Sequence, residues 1–402
     1  MISKKKRILF INHSLHSGGI EKSLVTLLSL FDYDAYDVDL QLFVHDGLFM
    51  DRIPQQVNLL PPFFPATYKW NIRKAFWALL KQGRPRLAFG RLRVTIAGMS
   101  GTMGERLAKM WNIEKQFIPS NDTVYDAVIA FMEGQPIYYA VEKTRSANKI
   151  GFIHGDYRAM KLDQSFDAPF LDKLEAVCTV SPACKTALDE CFPIHADRHH
   201  VIYNILSSSF LREMAQGQDP FGAAGREERI LSIARLSYQK GLDLAIEAFA
   251  QLKQDGVKFR WSIIGIGPEE ESLRSLMAAK GLEEGRDVVF LGEQSNPYPY
   301  LKNCSIYLQP SRFEGKSIAV DEAMVLCRPI LLTNFSTAAD QIESDQNGLI
   351  VEMSPAGLVQ GLKKMLGEPA LCERYVKALE QVDYSNEQEI EKLYTLINKG
   401  AE

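Results

Sequence analysis

Short apolar runs alternate with longer amphipathic stretches along the chain, which is the pattern of α/β domains with parallel sheets. An apolar run at 7–12 predicts a buried strand, and a glycine-containing turn after it leads into a helix at 19–30. The same alternation predicts further strands at 38–44, 126–131, 149–154, 176–180 and 200–203. We therefore predict an N-terminal α/β domain over residues 1–206.

A polar, glycine-rich stretch at 207–228 interrupts this alternation, and it contains no segment that we expect to pack as a core element. We predict that it is the interdomain linker. A second series follows at 229–385, with strands at 230–234, 260–265, 287–291, 305–309 and 329–333 and helices at 241–254, 268–280 and 317–326. Two such series predict two Rossmann-like domains facing a central cleft. A C-terminal helix within 386–402 could pack on either domain, including back on the N-terminal one.

Composition excludes several classes of protein. Apolar residues make up 46% and charged residues 24% of 402 residues, as in an ordinary folded protein. No window approaches eighteen uninterrupted apolar residues, so we expect no transmembrane helix. The basic N-terminus precedes an apolar run that is too short for a signal peptide. The six cysteines form no CxxC pair, so we expect reduced thiols and a cytoplasmic location.

The charge is distributed unevenly. The net charge is −4, but the segment 66–111 holds ten Lys/Arg against one acid, Glu105, and so carries +9. The rest of the chain therefore carries −13. The same segment contains three of the four tryptophans. This basic aromatic segment indicates an acidic partner at one place on the protein.

Apolar residues at 70, 72, 76, 77, 79 and 80 predict a helix over 69–81 with an apolar stripe and a basic rim. Tryptophan beside Lys/Arg is typical of helices that lie among anionic lipid head groups, so we predict peripheral docking on the inner face of the cell membrane. The residues of this membrane or acceptor hypothesis are Lys69, Trp70, Arg73, Lys74, Trp77 and Lys81. The alternatives are a core-packed helix with solvated charges and, less favoured, a nucleic-acid site.

The strongest chemical signal is the run from Ser311 to Glu322. Glu314 precedes Gly315 in a strand-to-helix loop, and Glu322 lies one to two turns into the predicted helix. Such loops bind ligands in α/β domains, and a carboxylate with two acceptor oxygens suits a pair of vicinal hydroxyls. The alternative is that both glutamates are solvated helix and turn residues.

Two further loops carry candidate chemistry. Arg235 and Lys240 bracket a strand-to-helix loop, and two cations beside a helix N-terminus suit a diphosphate, although surface ion pairs are the alternative. In the first loop, Gly18 and Gly19 permit close approach of the backbone to a ligand, although an ordinary tight turn explains them equally well. This loop lacks the GxGxxG spacing of a nicotinamide site.

Together these motifs resemble one family. The Arg…Lys loop, the Glu-x7-Glu motif and the paired glycines of the first loop are similar to the retaining glycosyltransferases of family 4, which have the GT-B fold. The resemblance extends to the glycosyltransferases of bacterial capsule and exopolysaccharide synthesis. Further matches are Gly265 in Gly-Ile-Gly-Pro, Ser181 in Val-Ser-Pro and Asn204 in Ile-Tyr-Asn. The resemblance is densest at 229–351, and no family motif is found at 57–121.

The resemblance implies roles for the second-domain residues. Arg235 and Lys240 would hold the diphosphate of a nucleotide-sugar donor and stabilise the leaving nucleotide. Glu322 would accept hydrogen bonds from the ribose, and Glu314 would hold the hydroxyls of the donor sugar. The amides of Gly315, Lys316 and Ser317 would assist Glu314, and Gly265 would lie in the donor site. Many members of the family have proline or glycine two or three residues after the first glutamate, so Lys316 leaves the identity of the donor open.

In the first domain, the resemblance implies that Gly18 and Gly19 approach the phosphate and the acceptor. His154 matches the active-site histidine of the family, whereas a histidine that ends a strand is otherwise more often structural. We find no DxD cluster, and His195, Asp197, His199 and His200 are better explained by a solvated turn than by a metal site. Two cations stabilise a leaving phosphate without a metal, so we expect neither metal nor cofactor.

The sequence therefore predicts a retaining, metal-independent glycosyltransferase of the hexosyltransferase type. It would move a sugar from a nucleotide diphosphate, with UDP favoured, to a lipid-linked or polymeric cell-surface glycan. Two alternatives stay open: a nucleotide-sugar epimerase of the same fold and a non-catalytic partner subunit of a glycosyltransferase.

Overall fold

In the computed structural model, strands alternate with helices in two separate units of the chain. The structure describes residues 5–16, 18–222, 228–294 and 296–399. The first unit runs up to Ile205 and includes the chain again from Glu387, and the second unit is Leu206–Asn386. Each unit is built around its own parallel β-sheet.

The sheet of the first unit has the strand order β3-β2-β1-β5-β7-β8-β9, with parallel pairing throughout, and β4 pairs with β6 beside it. The strands are β1 Lys6–Asn12, β2 Tyr36–Leu42, β3 Asn58–Leu59, β4 Asn121–Val124, β5 Ala127–Ala130, β6 Thr144–Arg145, β7 Lys149–Ile153, β8 Ala176–Thr179 and β9 His199–Val201. Helices cover this sheet: α1 Gly19–Ser29, α2 Ile72–Lys81, α3 Pro85–Ala97, α4 Met103–Glu114, α5 Gln135–Lys143, α6 Tyr157–Met160, α7 Gln164–Leu171 and α8 Pro182–Cys191.

Strand β1 shows why an uninterrupted apolar run forms an interior strand of this sheet. Ile8 and Phe10 pack into one hydrophobic cluster, and Leu9 and Ile11 pack into another. Successive side chains of a strand point to opposite faces, so both faces of β1 are buried. The strand predicted at 7–12 is therefore confirmed, as is the helix predicted at 19–30 to within one residue.

The helix predicted at 69–81 is shorter than expected. A 3-10 turn occupies Ala66–Lys69, and α2 begins only at Ile72 because the Asn71 side chain accepts a hydrogen bond from the Arg73 amide and caps the helix. Its buried residues are Ala75 and Leu79, so the predicted stripe, which includes Trp77, does not face the core as a whole. Two more helices, α3 and α4, complete the basic aromatic segment.

The sheet of the second unit has the order β12-β11-β10-β13-β14-β15 and is also parallel. Its strands are β10 Glu228–Ile233, β11 Phe259–Ile264, β12 Val288–Gly292, β13 Ile306–Gln309, β14 Ile330–Thr333 and β15 Leu349–Val351. Its helices are α9 Ser208–Met214, α10 Leu242–Gln254, α11 Glu270–Ala279, α12 Tyr298–Asn303, α13 Ile318–Val325, α14 Pro355–Gly367 and α15 Pro369–Glu380. All strands predicted in this half are present, and β15, α12, α14 and α15 were not predicted.

The prediction that 207–228 lacks a core element is wrong for its first part. Ser207 caps α9 with its side chain, and Leu211 and Ala215 are buried in a hydrophobic cluster of the second unit. Serine-rich sequence favours a helix start rather than a loop here, because a serine hydroxyl can accept a hydrogen bond from a helix amide. Residues 223–227 of the predicted linker lie outside the described residues.

The last helix, α16 Ile390–Asn398, packs on the first unit. Its apolar face, including Leu393 and Ile397, joins the same cluster as Ile8 and Phe10 of β1. The Asn148 amide of the first unit also donates hydrogen bonds to the carbonyl oxygens of Leu396 and Ile397, at 2.9 and 3.1 Å. The sequence allowed this helix to pack on either domain, and in the structure it packs on the N-terminal unit.

Candidate functional site

The candidate donor residues gather at one edge of the second sheet. Arg235 follows β10, Gly265 follows β11 and Glu314 follows β13, and these three strands are parallel neighbours. The carboxyl ends of parallel strands lie at the same edge, so three loops that are far apart in sequence meet there. The next helix, α13, carries Glu322.

A buried ion pair lies at the centre of this edge. The Lys240 Nζ lies 2.6 Å from Glu314 Oε1, which also accepts hydrogen bonds from the Ser311 hydroxyl at 2.6 Å and the Gln309 amide at 2.8 Å. Glu314 is 5% exposed. Three donors on one carboxylate oxygen fix its position and satisfy a charge that would otherwise be costly to bury. Lys240 and Glu314, 74 residues apart, are thus direct partners.

Backbone geometry brings the Lys240 loop against the Glu314 loop. Lys240 ends a 3-10 turn, and Gly241 follows it with φ at +61°. A Cβ on Gly241 would collide with the carbonyl oxygen of Pro310, which lies in the loop that carries Glu314. Glycine is therefore required here for two reasons, the left-handed backbone and the close approach of the two loops.

Gly265 has the same kind of role one strand further along. Its φ is +139°, and a Cβ would collide with the carbonyl oxygen of Ala234, next to Arg235. Gly267 approaches the Leu236 carbonyl oxygen equally closely. The glycines after β11 thus allow this loop to pack against the loop that carries Arg235. Arg235 itself is exposed, and it forms no hydrogen bond or ion pair with any residue that the structure describes.

Glu322 is buried in the same unit. It is 2% exposed, and its Oε1 accepts a hydrogen bond from the Tyr298 hydroxyl at 3.1 Å. The alternative that Glu314 and Glu322 are solvated surface residues is therefore wrong. A carboxylate that is already held by a tyrosine is positioned before any ligand arrives.

The loop between the two glutamates is held from outside the motif. The Ser317 amide donates to Gln341 Oε1 at 3.0 Å, and Gln341 Nε2 donates to the Ser317 carbonyl oxygen and to Asp321 Oδ1, each at 2.8 Å. The Ser317 amide is thus already bonded within the protein, which departs from the donor-binding role that the resemblance implied for it. Lys316 Nζ pairs with Asp321 Oδ2 at 3.0 Å, and burial raises the pKa of Asp321 although Lys316 and Gln341 act in the opposite direction.

A second ion pair near this edge was not predicted. Arg312 forms a bidentate pair with Asp243 at 2.7 and 2.6 Å, and its guanidinium lies 4.0 Å from the ring centroid of Tyr238. Burial acts to raise the pKa of Asp243, but the hydrogen bonds and charge of Arg312 outweigh it and lower the pKa. This pair joins the Glu314 loop to the start of α10. The only sign of it in the sequence is that the residue after Ser311 is charged.

In the first unit, His154 follows β7 and neighbours the loop after β5. Its ring Nε2 lies 3.0 Å from the carbonyl oxygen of Phe131, and its backbone amide donates to Glu133 Oε2 at 3.1 Å. A carbonyl only accepts, so Nε2 carries the ring proton. Burial lowers the pKa of His154 to about 4, and the ring is therefore neutral at pH 7. Glu133 was not predicted, and burial raises its pKa.

The remaining candidates of the first unit occupy separate places. Gly18 is the N-cap of α1 and Gly19 is its first residue, and no side chain caps this helix. Trp70 and Trp77 are 50% and 64% exposed, whereas the third tryptophan of the segment, Trp111, is fully buried. Lys69 is held by Asp46 at 3.3 Å. The other cations of the hypothesis, Arg73, Lys74 and Lys81, are exposed.

The described residues contain neither a cluster arranged to bind a metal ion nor a helix that could span a membrane. Across 5–16, 18–222, 228–294 and 296–399, no group of three or more His, Cys, Asp and Glu is arranged to hold a metal ion. His195 and His199, which were predicted to lie in a solvated turn, instead contact Asp172 and Asp189, and the His199 side chain is buried. Among the described helices, none is both long enough and apolar enough to span a bilayer.

Comparison with protein families agrees with this geometry. Residues 217–382, which carry β10 to β15 and both glutamates, match the family described as Glycosyl transferases group 1. In overall fold, the chain is similar to the crystal structure of Anabaena Alr3699/HepE in complex with UDP-glucose, with a TM-score of 0.69 at 18% identity over 97% of this chain and all of that one. The fold is therefore the GT-B fold of glycosyltransferases.

Relatives in sequence carry glycosyltransferase names. The amylovoran biosynthesis glycosyltransferase AmsK of Erwinia amylovora is 36% identical over 34% of this chain and 35% of its own length. The N-acetylgalactosamine-N,N'-diacetylbacillosaminyl-diphospho-undecaprenol 4-alpha-N-acetylgalactosaminyltransferase of Campylobacter jejuni is 24% identical over 90% of this chain and 91% of its own. Three of the most similar relatives are matched over less than half of their length. Together the matches support a glycosyltransferase.

Proposed function

We propose that the protein is a retaining glycosyltransferase that takes its sugar from a nucleotide diphosphate, with UDP as the favoured nucleotide. The observation that carries this proposal is the Lys240–Glu314 pair at the carboxyl edge of a parallel sheet, with Glu322 buried nearby. A cation held in place by a buried carboxylate is oriented before the donor arrives, and it costs little reorganisation when negative charge develops on a leaving phosphate.

The donor's diphosphate would lie against Lys240 and the exposed Arg235, and its ribose hydroxyls would donate to Glu322. In the reaction, the bond from the anomeric carbon to the phosphate oxygen breaks, and a bond to the acceptor oxygen forms on the same face. The proton of the acceptor hydroxyl passes to the departing phosphate. Two cations supply the charge stabilisation, so we expect the step to need neither a metal nor a protein nucleophile.

For the donor sugar we propose Glu314 and the amides of Gly315 and Lys316. Because Gln341 bonds the Ser317 amide, Ser317 would act by holding the loop rather than by contacting the sugar. The roles of Gly18, Gly19 and His154 that the resemblance implies are kept as proposals. A neutral His154, its proton on Nε2, could only accept at Nδ1 or lend its ring edge to a sugar.

The acceptor that we propose is a lipid-linked or polymeric cell-surface glycan, reached at an anionic membrane surface. The names of the relatives support this, since one acts on a diphospho-undecaprenol-linked glycan and another belongs to amylovoran biosynthesis. The basic aromatic segment supports it as well, because Trp70 and Trp77 are exposed beside Arg73, Lys74 and Lys81. On this proposal the protein would be a peripheral membrane protein.

The decisive experiment follows nucleotide release from a panel of UDP-, GDP- and ADP-sugars, with and without chelator. We expect release from one donor, unaffected by chelator and lost in Glu322→Ala and Lys240→Ala. Lys253→Ala is the matched control, because Lys253 forms a similar ion pair, with Asp287 at 2.6 Å, away from the two motifs. If no donor reacts even after addition of a membrane extract with lipid-linked glycans, the proposal is wrong and a non-catalytic partner role replaces it.

A further inference from the structure

The exposed apolar residues of the protein are concentrated in one segment. Within the described residues, seven of the fourteen large apolar side chains that are exposed lie between positions 70 and 103. They are Trp70, Trp77, Phe89, Leu92, Ile96, Met99 and Met103. The membrane hypothesis is based on helix α2 alone, but three of these seven side chains belong to α3, Met99 lies in the turn after α3, and Met103 is the first residue of α4. We call helices α2 and α3, with the turn between them, the α2–α3 surface.

This exposure is a property of a well-anchored segment. Arg91 of α3 donates to the Tyr68 carbonyl oxygen at 2.8 Å, and the Tyr68 hydroxyl donates to the buried Glu114 at 2.8 Å. Glu114 also accepts a hydrogen bond from Gln135 of α5. Buried contacts thus fix the inner side of the helices, while their outer side presents apolar side chains to water.

A cleft opens at the turn between the two helices. It measures about 390 Å³ and is lined by Phe63, Gly83, Arg84, Pro85, Arg86, Leu87 and Phe117. Neither the Arg84 nor the Arg86 side chain forms a hydrogen bond or ion pair with any described residue, whereas the Arg91 side chain further along α3 donates to the Tyr68 carbonyl oxygen and the Thr95 hydroxyl. The cleft therefore combines two unpaired guanidinium groups with an apolar wall.

We propose that this cleft binds the phosphate of an anionic membrane lipid. Guanidinium groups present planar forks of donors that match phosphate oxygens, so two of them in one cleft suit a phosphate better than any neutral ligand. The N-terminus of α3 lies at the cleft and has no side-chain cap. The partial positive charge of a helix N-terminus also favours a bound anion there.

The apolar side chains around the cleft favour the phosphate of a membrane lipid over that of a soluble phosphate ester. Phe63, Leu87 and Phe117 line the cleft, and Trp77 and Phe89 are exposed on the helices at either side of the turn. A soluble phosphate ester would gain nothing from these side chains. The phosphate of a membrane lipid is carried beside acyl chains, so binding it would bury these apolar side chains at the interface at the same time. The inference deepens the proposed membrane contact and rests on that part of the proposed function.

The test compares two double variants that remove the same charge. Arg84→Ala with Arg86→Ala empties the cleft of cations, and Arg73→Ala with Lys74→Ala removes two exposed cations of α2 that do not line it. Binding to phosphatidylcholine vesicles with and without phosphatidylglycerol is measured at about 0.15 M and about 1 M salt, where the Debye length falls from about 8 to about 3 Å.

At the lower salt we expect both double variants to bind more weakly, because each removes diffuse attraction to the vesicle. At the higher salt, we expect the α2 variant to match the wild type, and the cleft variant to bind at least about tenfold more weakly. The double variant Arg84→Lys with Arg86→Lys keeps the positive charge but loses the planar guanidinium donors. We expect it to lose the vesicle binding that persists at the higher salt concentration as well.

Equal losses in the two double variants at both salt concentrations would overturn the proposal, because the surface would then act only by diffuse charge. Displacement of the protein from vesicles by glycerol 3-phosphate would overturn the choice of a lipid over a soluble ester. Vesicle binding is measured without donor or acceptor, so it is independent of catalysis. Absence of nucleotide release would therefore contradict the proposed transferase activity and leave the lipid site untouched.

Discussion

Three cations at the candidate site of the second unit differ from four on the α2–α3 surface in how their side chains are paired, although Arg235 of the second unit is also exposed and has no partner among the described residues. In the second unit, Lys240 is paired with buried Glu314, Lys316 with buried Asp321, and Arg312 with Asp243. On the α2–α3 surface, the side chains of Arg73, Lys74, Arg84 and Arg86 are exposed and form no hydrogen bond or ion pair with the described residues.

This difference separates two kinds of binding. A cation held by a buried carboxylate keeps a fixed position, and it suits a step whose charge develops at one atom. An exposed cation retains its side-chain freedom and its hydration, and it suits a broad anionic surface that supplies the missing charge. On our proposals, the same residue types would serve a point site in one region and a membrane-binding surface in the other.

The largest effect that we predict concerns the buried core that supports the α2–α3 surface. Trp111 is fully buried and its ring lies 5.8 Å from that of Tyr138. Trp111→Ala should lower the free energy of unfolding by about 3–5 kcal/mol, because it leaves a large cavity beneath α4. Urea denaturation measures this. A loss below about 1 kcal/mol would show that the segment contributes little to the stability of the unit.

The second prediction concerns the fixed cation. Lys240→Ala should lower the rate of transfer by about 100- to 1000-fold, the loss that removal of one preorganised stabilising group typically causes. Steady-state kinetics with the donor identified in the panel measures it. Lys253→Ala should stay close to wild type, and comparable activity in the two variants would remove Lys240 from the catalytic machinery.

Much of the fold could be predicted because its strands are continuous apolar runs. Two interior strands, β1 and β10, were located from such runs, and the Arg…Lys and Glu-x7-Glu spacings located Lys240, Glu314 and Glu322. The pairing of Lys240 with Glu314 could not be predicted from spacing, since it depends on which strands are neighbours.

Other features lacked a local signal. Gln341 holds the Ser317 amide from 24 residues away, and nothing in the motif itself points to it. In α2, periodicity placed Trp77 on the same stripe as Leu79, but the structure buries Leu79 and leaves Trp77 exposed. Helical spacing defines a stripe, and only tertiary packing decides which part of it is covered.

The third prediction uses the ion pair between Lys316 and the buried Asp321. Lys316→Met should lower the free energy of unfolding by about 1–3 kcal/mol at pH 8, because it leaves Asp321 buried without its cation. Burial already raises the pKa of Asp321, and loss of Lys316 raises it further. The folded variant then accepts a proton more readily than the unfolded chain, so the loss should shrink as the pH falls towards 5.

Unfolding of the wild type and Lys316→Met by urea at pH 8 and pH 5 measures this dependence. The double variant with Asp321→Asn is the control, because an amide does not titrate and its stability relative to Asp321→Asn alone should be the same at both values. A pH-independent loss in the single variant would exclude Asp321 as the origin of the effect.

The fourth prediction concerns His154, whose pKa is lowered by burial to about 4. The unfolded chain binds a proton near pH 6.5 and the folded one does not, so stability is lost as the pH falls through this range. His154→Gln removes this titration. Between pH 7 and pH 5, the variant should therefore gain about 1–2 kcal/mol relative to wild type in urea unfolding. An unchanged difference would mean that His154 is not buried as a neutral ring.

The smallest effect is expected at Trp77, an exposed residue in the middle of α2. Trp77 is 64% exposed, so Trp77→Ser should change the free energy of unfolding by less than about 0.5 kcal/mol. Ile194→Ser is the matched control, because Ile194 is an 85% exposed apolar residue of the same unit outside the surface. We expect both variants to unfold like wild type, but only Trp77→Ser to bind phosphatidylglycerol vesicles more weakly.

Fluorescence separates this effect from a change in folding. Trp111 and Trp261 are buried, so iodide should quench chiefly Trp70 and Trp77 in solution, and vesicles should protect that exposed fraction in wild type. In Trp77→Ser, part of the protected fraction should disappear while the buried fraction stays constant. Equal vesicle binding by Trp77→Ser and Ile194→Ser would mean that exposed tryptophan has no role at the interface, and the contrast between the two regions would then depend on charge alone.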